Sequence, residues 1–398
     1  MKSLRSLVRT PSLIAAAAFA VGGGGFVVAT LIMARVLDTA EFSHAVLMIA
    51  LCNVAVAVGP SAINGIALRH DRRTDRRLVM AGGICILVTA LLIAIAARLL
   101  YALPLLSVAV LCFAIVTGGF TLLTRSAFQR QLAMQRIVLV HQGSNIALLL
   151  SAVLMLVHVG TVHWFPTLTV AVCYLGLGIY AWRWVMRNQR AGLSIERSLW
   201  RDGINFGGVA LASEVMMQLE RLLLPLAMSA SDLAIFAVVA AVALTPYRML
   251  EMGTMATLVA RLRALDSRAE RLRMLQKEGA MLLTLSVVGG VFIIVLAPRL
   301  GELVFEEAQI TVQLTVATVI SGVVRVLSAL AHSTALAFGT GRELRLLNAS
   351  NWLAVAVGAL LGVRLSGFGL EGFIYGVALG WVCRAILAGV LAGKHLRA

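Results

Sequence analysis

Charge is scarce in this sequence, and acid is scarcer than base. Asp and Glu number 18 against 34 Lys and Arg, and charged residues make up only 13% of the 398. Soluble domains carry about 25%. The five cysteines, Cys52, Cys85, Cys112, Cys173 and Cys383, all lie in apolar blocks and form no CxxC pair. Neither a disulfide framework nor a zinc site is indicated. There is no GxxxxGK[ST] loop, hence no visible ATP site, and no HExxH zinc motif. No DxD-type acidic cluster is present to hold a metal and a sugar nucleotide. His44, His70, His141, His158, His163, His332 and His395 are scattered without metal-ligand spacing. No loop is long enough to fold as a soluble domain or to build an enzymatic site outside a membrane. No cofactor and no catalytic activity are therefore expected.

What is abundant is apolar sequence. Hydrophobic residues reach 60%, mean hydropathy is +0.95, and the apolar residues come in blocks of about 20, enough to span a bilayer as a helix. The chain reads as an all-α polytopic membrane protein with twelve spans, at 11–34, 44–68, 78–97, 104–124, 137–157, 164–185, 204–228, 233–257, 279–297, 312–336, 345–363 and 370–392. The N-terminal Lys2, Arg5 and Arg9 before an apolar run mimic a secretory signal. That run continues to Ala34, so an uncleaved first span is expected.

A formal charge of +16 could suggest nucleic acid, but the basic residues sit in short clusters between apolar blocks. Twenty-six of the 34 fall at one set of ends: at Lys2–Arg9, Arg69–Arg77, Arg125–Arg136, Arg183–Arg201, Arg261–Lys277, Arg342–Arg345 and Lys394–Arg397. The alternate loops hold only Arg35, Arg98, Arg299 and Arg364. By the positive-inside rule both termini are expected in the cytoplasm and the span number is even. The basic ends also suit anionic lipid headgroups, and no nucleic-acid partner is expected.

Four bases remain, Arg221, Arg248, Arg325 and Arg384, and they lie inside spans with Glu214, Glu220 and Glu251. A charge at the centre of a transmembrane helix costs roughly 2.5–3.5 kcal/mol on insertion scales, so such groups face a bundle interior or a watery cavity. Glu214, Gln218 and Arg221 share one helix face, as do Arg248 and Glu251. These charges could be structural pairs. Arg325 and Arg384, however, have no acid within one turn, and four bases against three acids leave an excess of +1. An electropositive cavity receiving an anionic substrate is the favoured reading. Glu214, Glu220 and Glu251 are candidates for ion coupling or charge pairing. Gly22, Gly23, Gly24 and Gly25 in the first span suit either close helix approach or a hinge. Leu258, Leu262, Leu265, Leu272 and Leu275 predict an amphipathic helix on the inner membrane surface over 261–278. An acidic loop carries Glu302, Glu306 and Glu307.

Several stretches resemble one family. Ala34-Arg35-Val36-Leu37-Asp38-Thr39-Ala40-Glu41-Phe42-Ser43 looks like the A-R-x-L-G-x-x-x-[FY]-G junction of polysaccharide exporters and O-antigen flippases. These belong to the multidrug/oligosaccharidyl-lipid/polysaccharide exporter superfamily. Gly59 and Arg69 fit that family's Gly followed by a basic residue. Arg201-Asp202-Gly203-Ile204-Asn205-Phe206 resembles its R-F-G-x-P opening of the second half, Glu220-Arg221-Leu222-Leu223-Leu224 its D-R-x-x-L stretch, and Ala234-Ile235-Phe236 its A-x-[FY]. The usual Asp is Glu220 here, Asp38 replaces the junction Gly, and Asn205 stands where Pro is usual.

The resemblance implies two six-span bundles, 1–195 and 196–398, around a central cavity. It implies flipping of an undecaprenyl-diphosphate-linked oligosaccharide from inner to outer leaflet of the bacterial cytoplasmic (inner) membrane by alternating access, for polysaccharide biosynthesis. Basic residues would receive the diphosphate, the candidates being Arg221, Arg248, Arg325, Arg384 and Arg35. Membrane lipids, a glycan polymerase and chain-length proteins would be its partners. The alternatives are a drug or metabolite exporter of the same superfamily, a membrane-embedded glycan polymerase or acyltransferase, and a scaffold.

Overall fold

The computed structural model describes residues 11–69, 76–130, 133–188, 197–304 and 310–397. Lys2, Arg5, Arg9, His70, Arg72, Arg73, Arg190, Glu306 and Glu307 lie outside the described residues. Among the described residues regular structure is entirely helical. In chain order the helices are α1 (Pro11–Val36), α2 (Thr39–Arg69), α3 (Arg76–Tyr101), α4 (Leu105–Leu122), α5 (Arg125–Arg130), α6 (Met134–Leu156) and α7 (Phe165–Asn188). They continue with α8 (Arg197–Ala227), α9 (Ala230–Ala243), α10 (Thr245–Arg263), α11 (Arg268–Val304), α12 (Val312–Phe338), α13 (Gly341–Leu365) and α14 (Gly369–Arg397).

These helices account for twelve spans. Eight stretches are long and apolar enough to cross a membrane, and α9 with α10, bent by 58° at their junction, makes a ninth. One of the eight, Gly341–Lys394, has 54 residues. As one straight helix it would run about 80 Å, far beyond a hydrocarbon core of about 30 Å. A 3₁₀ turn at Ser366–Phe368 divides it, and Gly369 adopts φ +86°, a left-handed conformation that glycine takes without steric cost. The chain reverses there, and α13 packs along α14. Two more spans complete the set. In α6 the apolar part is the shorter Gln142–Leu156. In α8 the apolar stretch is interrupted by Glu214, Glu220 and Arg221.

Short polar links define the helix starts. Asp38 accepts from the Glu41 backbone N–H at 2.8 Å and opens α2. Ser229 and Asp232 bond reciprocally before α9. Thr311 caps α12, and Thr340 with Glu343 forms a full capping box on α13. The bend between α9 and α10 follows from Pro246, which lacks an N–H and clashes with the preceding turn. The amphipathic segment expected over 261–278 is not a separate surface helix. It is divided between the end of α10 and the start of α11, which runs unbroken into the membrane span. Its leucines cover protein: Leu258 and Leu262 are buried with Ala337, and Leu275 packs against them.

The chain packs as two units. One is Ile32–Ala234; the other joins α1 up to Leu31 with the chain from Ile235 onward. In the first, Ile63, Ile66, Leu78, Ile86 and Leu123 form a buried cluster. Asn64 bridges the break between α4 and α5, donating to the Leu122 carbonyl at 2.9 Å and accepting from the Ser126 N–H at 3.2 Å.

In the second unit small residues bring α13 and α14 to backbone contact. A Cβ on Gly376 would lie 2.5 Å from the Gly362 nitrogen, and one on Gly380 would lie 2.7 Å from the Ala354 carbonyl oxygen. This is small-xxx-small apposition of membrane helices. Gly376→Leu is therefore expected to stop α13 and α14 from docking, with little folded protein recovered. Gly389→Leu is the control, because nothing lies within 4 Å of a Cβ there. It should change stability by no more than about 0.5 kcal/mol. Melting temperatures of the detergent-solubilised variants separate the two.

Candidate functional site

The second unit buries a polar cluster in the middle of its spans. Helix α10 contributes Arg248 and Glu251 one turn apart, α12 contributes Arg325 and His332, α13 contributes Asn351, and α14 contributes Trp381 and Arg384. Arg325 and Glu251 are 0% exposed, Arg384 is 2% and Trp381 is 0%. Arg325 stands 13 residues from either end of α12, roughly 20 Å in at 1.5 Å per residue. Arg384 stands 15 residues into α14, roughly 22 Å. Both are at mid-bilayer depth.

Trp381 organises the arginines. Trp381 and Arg384, three apart, share a face of α14, and the Arg384 guanidinium carbon lies 5.2 Å from the indole centroid. Arg325 reaches the same ring from α12, at 4.9 Å. Desolvated cation–π contacts contribute about 2 kcal/mol each. Arg384 Nε also donates to Asn351 Oδ1 at 3.2 Å.

Glu251 supplies the negative charge. It interacts electrostatically with Arg384, then Arg325, then Arg248, in descending order. Arg325 and Arg384, which have no acid within a turn of their own helices, thus share one across helices. Neither oxygen of Glu251 has a hydrogen-bond partner among the described residues. The Nε1 of Trp381, the Nδ2 of Asn351 and the Nδ1 of His332 are likewise buried without one. Three arginines against one glutamate leave a formal +2 in this cluster, surrounded by donors with unused capacity. Chemically, this arrangement fits an anion with several acceptor oxygens.

The remaining intramembrane charges belong to the other unit. Arg221, 2% exposed, donates to Gln218 Oε1 at 3.2 Å on the shared face. Glu214 interacts with Arg125, the first residue of α5, and with Tyr174. Glu220 is buried. Arg35 is exposed at the end of α1. Gly22–Gly25 lie within the unbroken α1; a Cβ on Gly23 would strike the Met249 side chain, whereas Gly24 has no neighbour within 4 Å.

A second polar cluster joins helix starts in the first unit. Glu41 Oε2 accepts from His163 Nδ1 at 2.8 Å and from the His163 backbone N–H at 2.6 Å. His163 Nε2 lies 2.6 Å from Ser107 Oγ, and the His44 ring is 5.3 Å away. The order Glu–His–Ser is that of a hydrolase triad, but Ser107 is 0% exposed and no substrate reaches it. The cluster is a clamp tying α2, α4 and the segment before α7. His163→Ala should cost about 1–3 kcal/mol, because the Ser107 hydroxyl is left buried and unsatisfied. A lowered melting temperature of the detergent-solubilised variant would show this.

Charge inside apolar blocks singled out Arg248, Arg325, Arg384 and Glu251, which the structure brings together, and Arg221, which it places in the other unit. Sequence reasoning missed Trp381, Asn351 and His332, which look ordinary in apolar sequence. The spacing of Trp381 and Arg384 was the available signal.

No family model matches the chain, and no curated protein shows significant sequence similarity. Solved structures do match in fold. An inward-facing multidrug resistance MATE family transporter of the MOP superfamily superposes with TM-score 0.61 at 14% identity, covering 94% of each chain. An outward-facing MATE family transporter of the MOP superfamily gives TM-score 0.63 at 15% identity, over 98% of this chain and 97% of the other. A MOP superfamily transporter from Pyrococcus furiosus Vc1 (DSM3638) gives TM-score 0.63 at 15% identity, with coverage of 98% and 97%. For that protein, reverse polarity of the binding pocket is said to suggest a different function. The twelve-helix fold is that of MATE transporters.

Proposed function

We propose that this chain is an alternating-access transporter for an anionic lipid-linked substrate, an undecaprenyl-diphosphate-linked oligosaccharide moved from the inner to the outer leaflet. The observation that carries the reading is the +2 cluster formed by the buried Arg325, Arg384 and Glu251 with the half-buried Arg248. A diphosphate is anionic, rich in acceptor oxygens and matched to guanidinium forks. A cationic drug would meet repulsion there. The fold is shared with transporters solved facing inward and outward, which supports alternating access. The Pyrococcus furiosus protein, whose pocket polarity is described as reversed, supports reading substrate class from pocket charge. Arg221 and Arg35 are further candidates for the substrate's path, and Gly24, with open space beside it, for a hinge in α1. We place the protein in a bacterial inner membrane with both termini cytoplasmic.

The fold relationship to multidrug resistance transporters favours a second reading, export of a small anionic compound. One experiment separates the two. In a strain depleted of this protein, undecaprenyl-linked glycan should build up on the cytoplasmic face. The intact gene should relieve the build-up, and an Arg325→Gln gene should not. Normal glycan translocation, with increased sensitivity to an anionic drug, would favour the exporter. Normal translocation with unpolymerised glycan outside would move the protein to an enzyme or scaffold role.

A further inference from the structure

The glutamates of this protein are held in different ways. Glu278 is held at 3.0 Å by Arg261, and Glu41 takes two bonds from His163. Both carboxylates are fixed by directional donors, as structural carboxylates are. Glu251 is deeper, at 0% exposure, yet neither of its oxygens has a hydrogen-bond partner among the described residues. Burial works against its negative charge, and the field of Arg384, Arg325 and Arg248 supports it. A carboxylate held that way is a stand-in: any anion that engages the same guanidinium groups removes its support.

We propose that Glu251 is the arginine cluster's own counter-ion, and that an entering phosphoryl anion displaces it and leaves it protonated. This rests on the reading of the cluster as the anion site. Once the anion oxygens neutralise Arg325 and Arg384, a second negative charge beside them has burial and like-charge repulsion against it and little in its favour. Taking a proton from bulk water removes that cost. Anion binding and proton uptake are then one event, and the loaded site carries both. The protein would couple substrate movement to protons in the same direction.

Charged and titratable groups stand on the helices of this unit. Arg248 lies on Glu251's own helix, Arg325 and His332 on α12, and Arg384 on α14. On α11, Glu278 pairs with Arg261, and on α10 Tyr247 donates to the Ser286 carbonyl. His332 is the rival proton acceptor, since it is buried beside Arg384 with Nδ1 unbonded.

The test is calorimetry of inorganic pyrophosphate binding to the full-length protein in detergent, in buffers of different ionisation enthalpy. Wild type should take up one proton per pyrophosphate more than Glu251→Gln does; this difference cancels the pyrophosphate's own titration. Glu251→Gln should bind roughly tenfold or more tightly at neutral pH, because a like charge has left the site. Should E251Q fold poorly, the infrared difference spectrum of wild type on adding pyrophosphate gives the same answer: a protonated-carboxyl carbonyl band should appear. Equal proton uptake in wild type and E251Q, or no such band, overturns the proposal while the anion site stands. Loss of the extra proton in His332→Gln with E251Q unchanged assigns it to His332 and overturns it too. Unaltered pyrophosphate binding in Arg325→Gln and Arg384→Gln, or no binding in any variant, overturns both the proposal and the anion-site reading.

Discussion

The Arg384→Gln variant is expected to lose stability and transport together, while the Arg384→Gln/Glu251→Gln double variant regains the stability but not the transport. The first half follows from burial. Glu251 is 0% exposed and Arg384 is its largest electrostatic support. Removing Arg384 leaves Glu251 with only the weaker support of Arg325 and Arg248, a cost that approaches the roughly 3–5 kcal/mol of breaking a buried pair. Arg384 also gives up its contact with Trp381 and its bond to Asn351. Removing the acid as well takes away the carboxylate whose largest support was lost, and neutral replacement of a buried pair costs little. Melting temperatures of the four proteins in the cycle would show a favourable coupling of about 2–3 kcal/mol.

The second half separates a site from a strut. If Arg384 only neutralised Glu251, the double variant would transport as Glu251→Gln alone does. If its guanidinium receives the substrate, both variants should transport at least about 100-fold slower, equivalent to about 2.7 kcal/mol of lost stabilisation. Flipping of lipid-linked glycan in reconstituted vesicles gives the readout. Recovery of transport in the double variant would remove Arg384 from the substrate site.

The twelve spans were legible because membrane helices must be long and apolar, and that requirement is written in composition. Only where a span departs from it did the reading fall short. Pro246 is visible in sequence, yet a single proline in an apolar block does not announce a 58° break. The leucines of 261–278 do recur at helical spacing, but such spacing reports an apolar face and not whether lipid or protein covers it. The site was half legible. A charge inside a span is conspicuous, so Arg325 and Arg384 stood out. Their pairing did not, because Glu251 is local in sequence only to Arg248, while its stronger electrostatic neighbours reach it from α14 and α12. Seven charges that read as one set in the second half belong to two units. Pairing across helices is a tertiary fact, and helical periodicity extends only along one helix.

Trp381 carries the last of these expectations, because two functions of one side chain can be separated by size and by polarity. Its ring is fully buried and lies within cation–π range of both Arg325 and Arg384. Trp381→Leu removes the π face from both guanidinium groups and leaves a cavity. It should cost about 3–5 kcal/mol, the range for truncating a buried aromatic, and transport should fall with it as the arginines lose their common seat. Trp381→Phe keeps a π face at the same place. The indole Nε1 has no hydrogen-bond partner among the described residues, so its loss orphans nothing in the protein itself. The cost in stability should be about 1 kcal/mol, mostly from a weaker cation–π contact. Transport then discriminates. If Trp381→Phe transports nearly as well as wild type, the ring is a platform that orients two arginines and nothing more. If it is as stable as expected but transports as poorly as Trp381→Leu, the N–H is used on the substrate. The indole would then be a third donor beside the two guanidinium groups, aimed at the same anion.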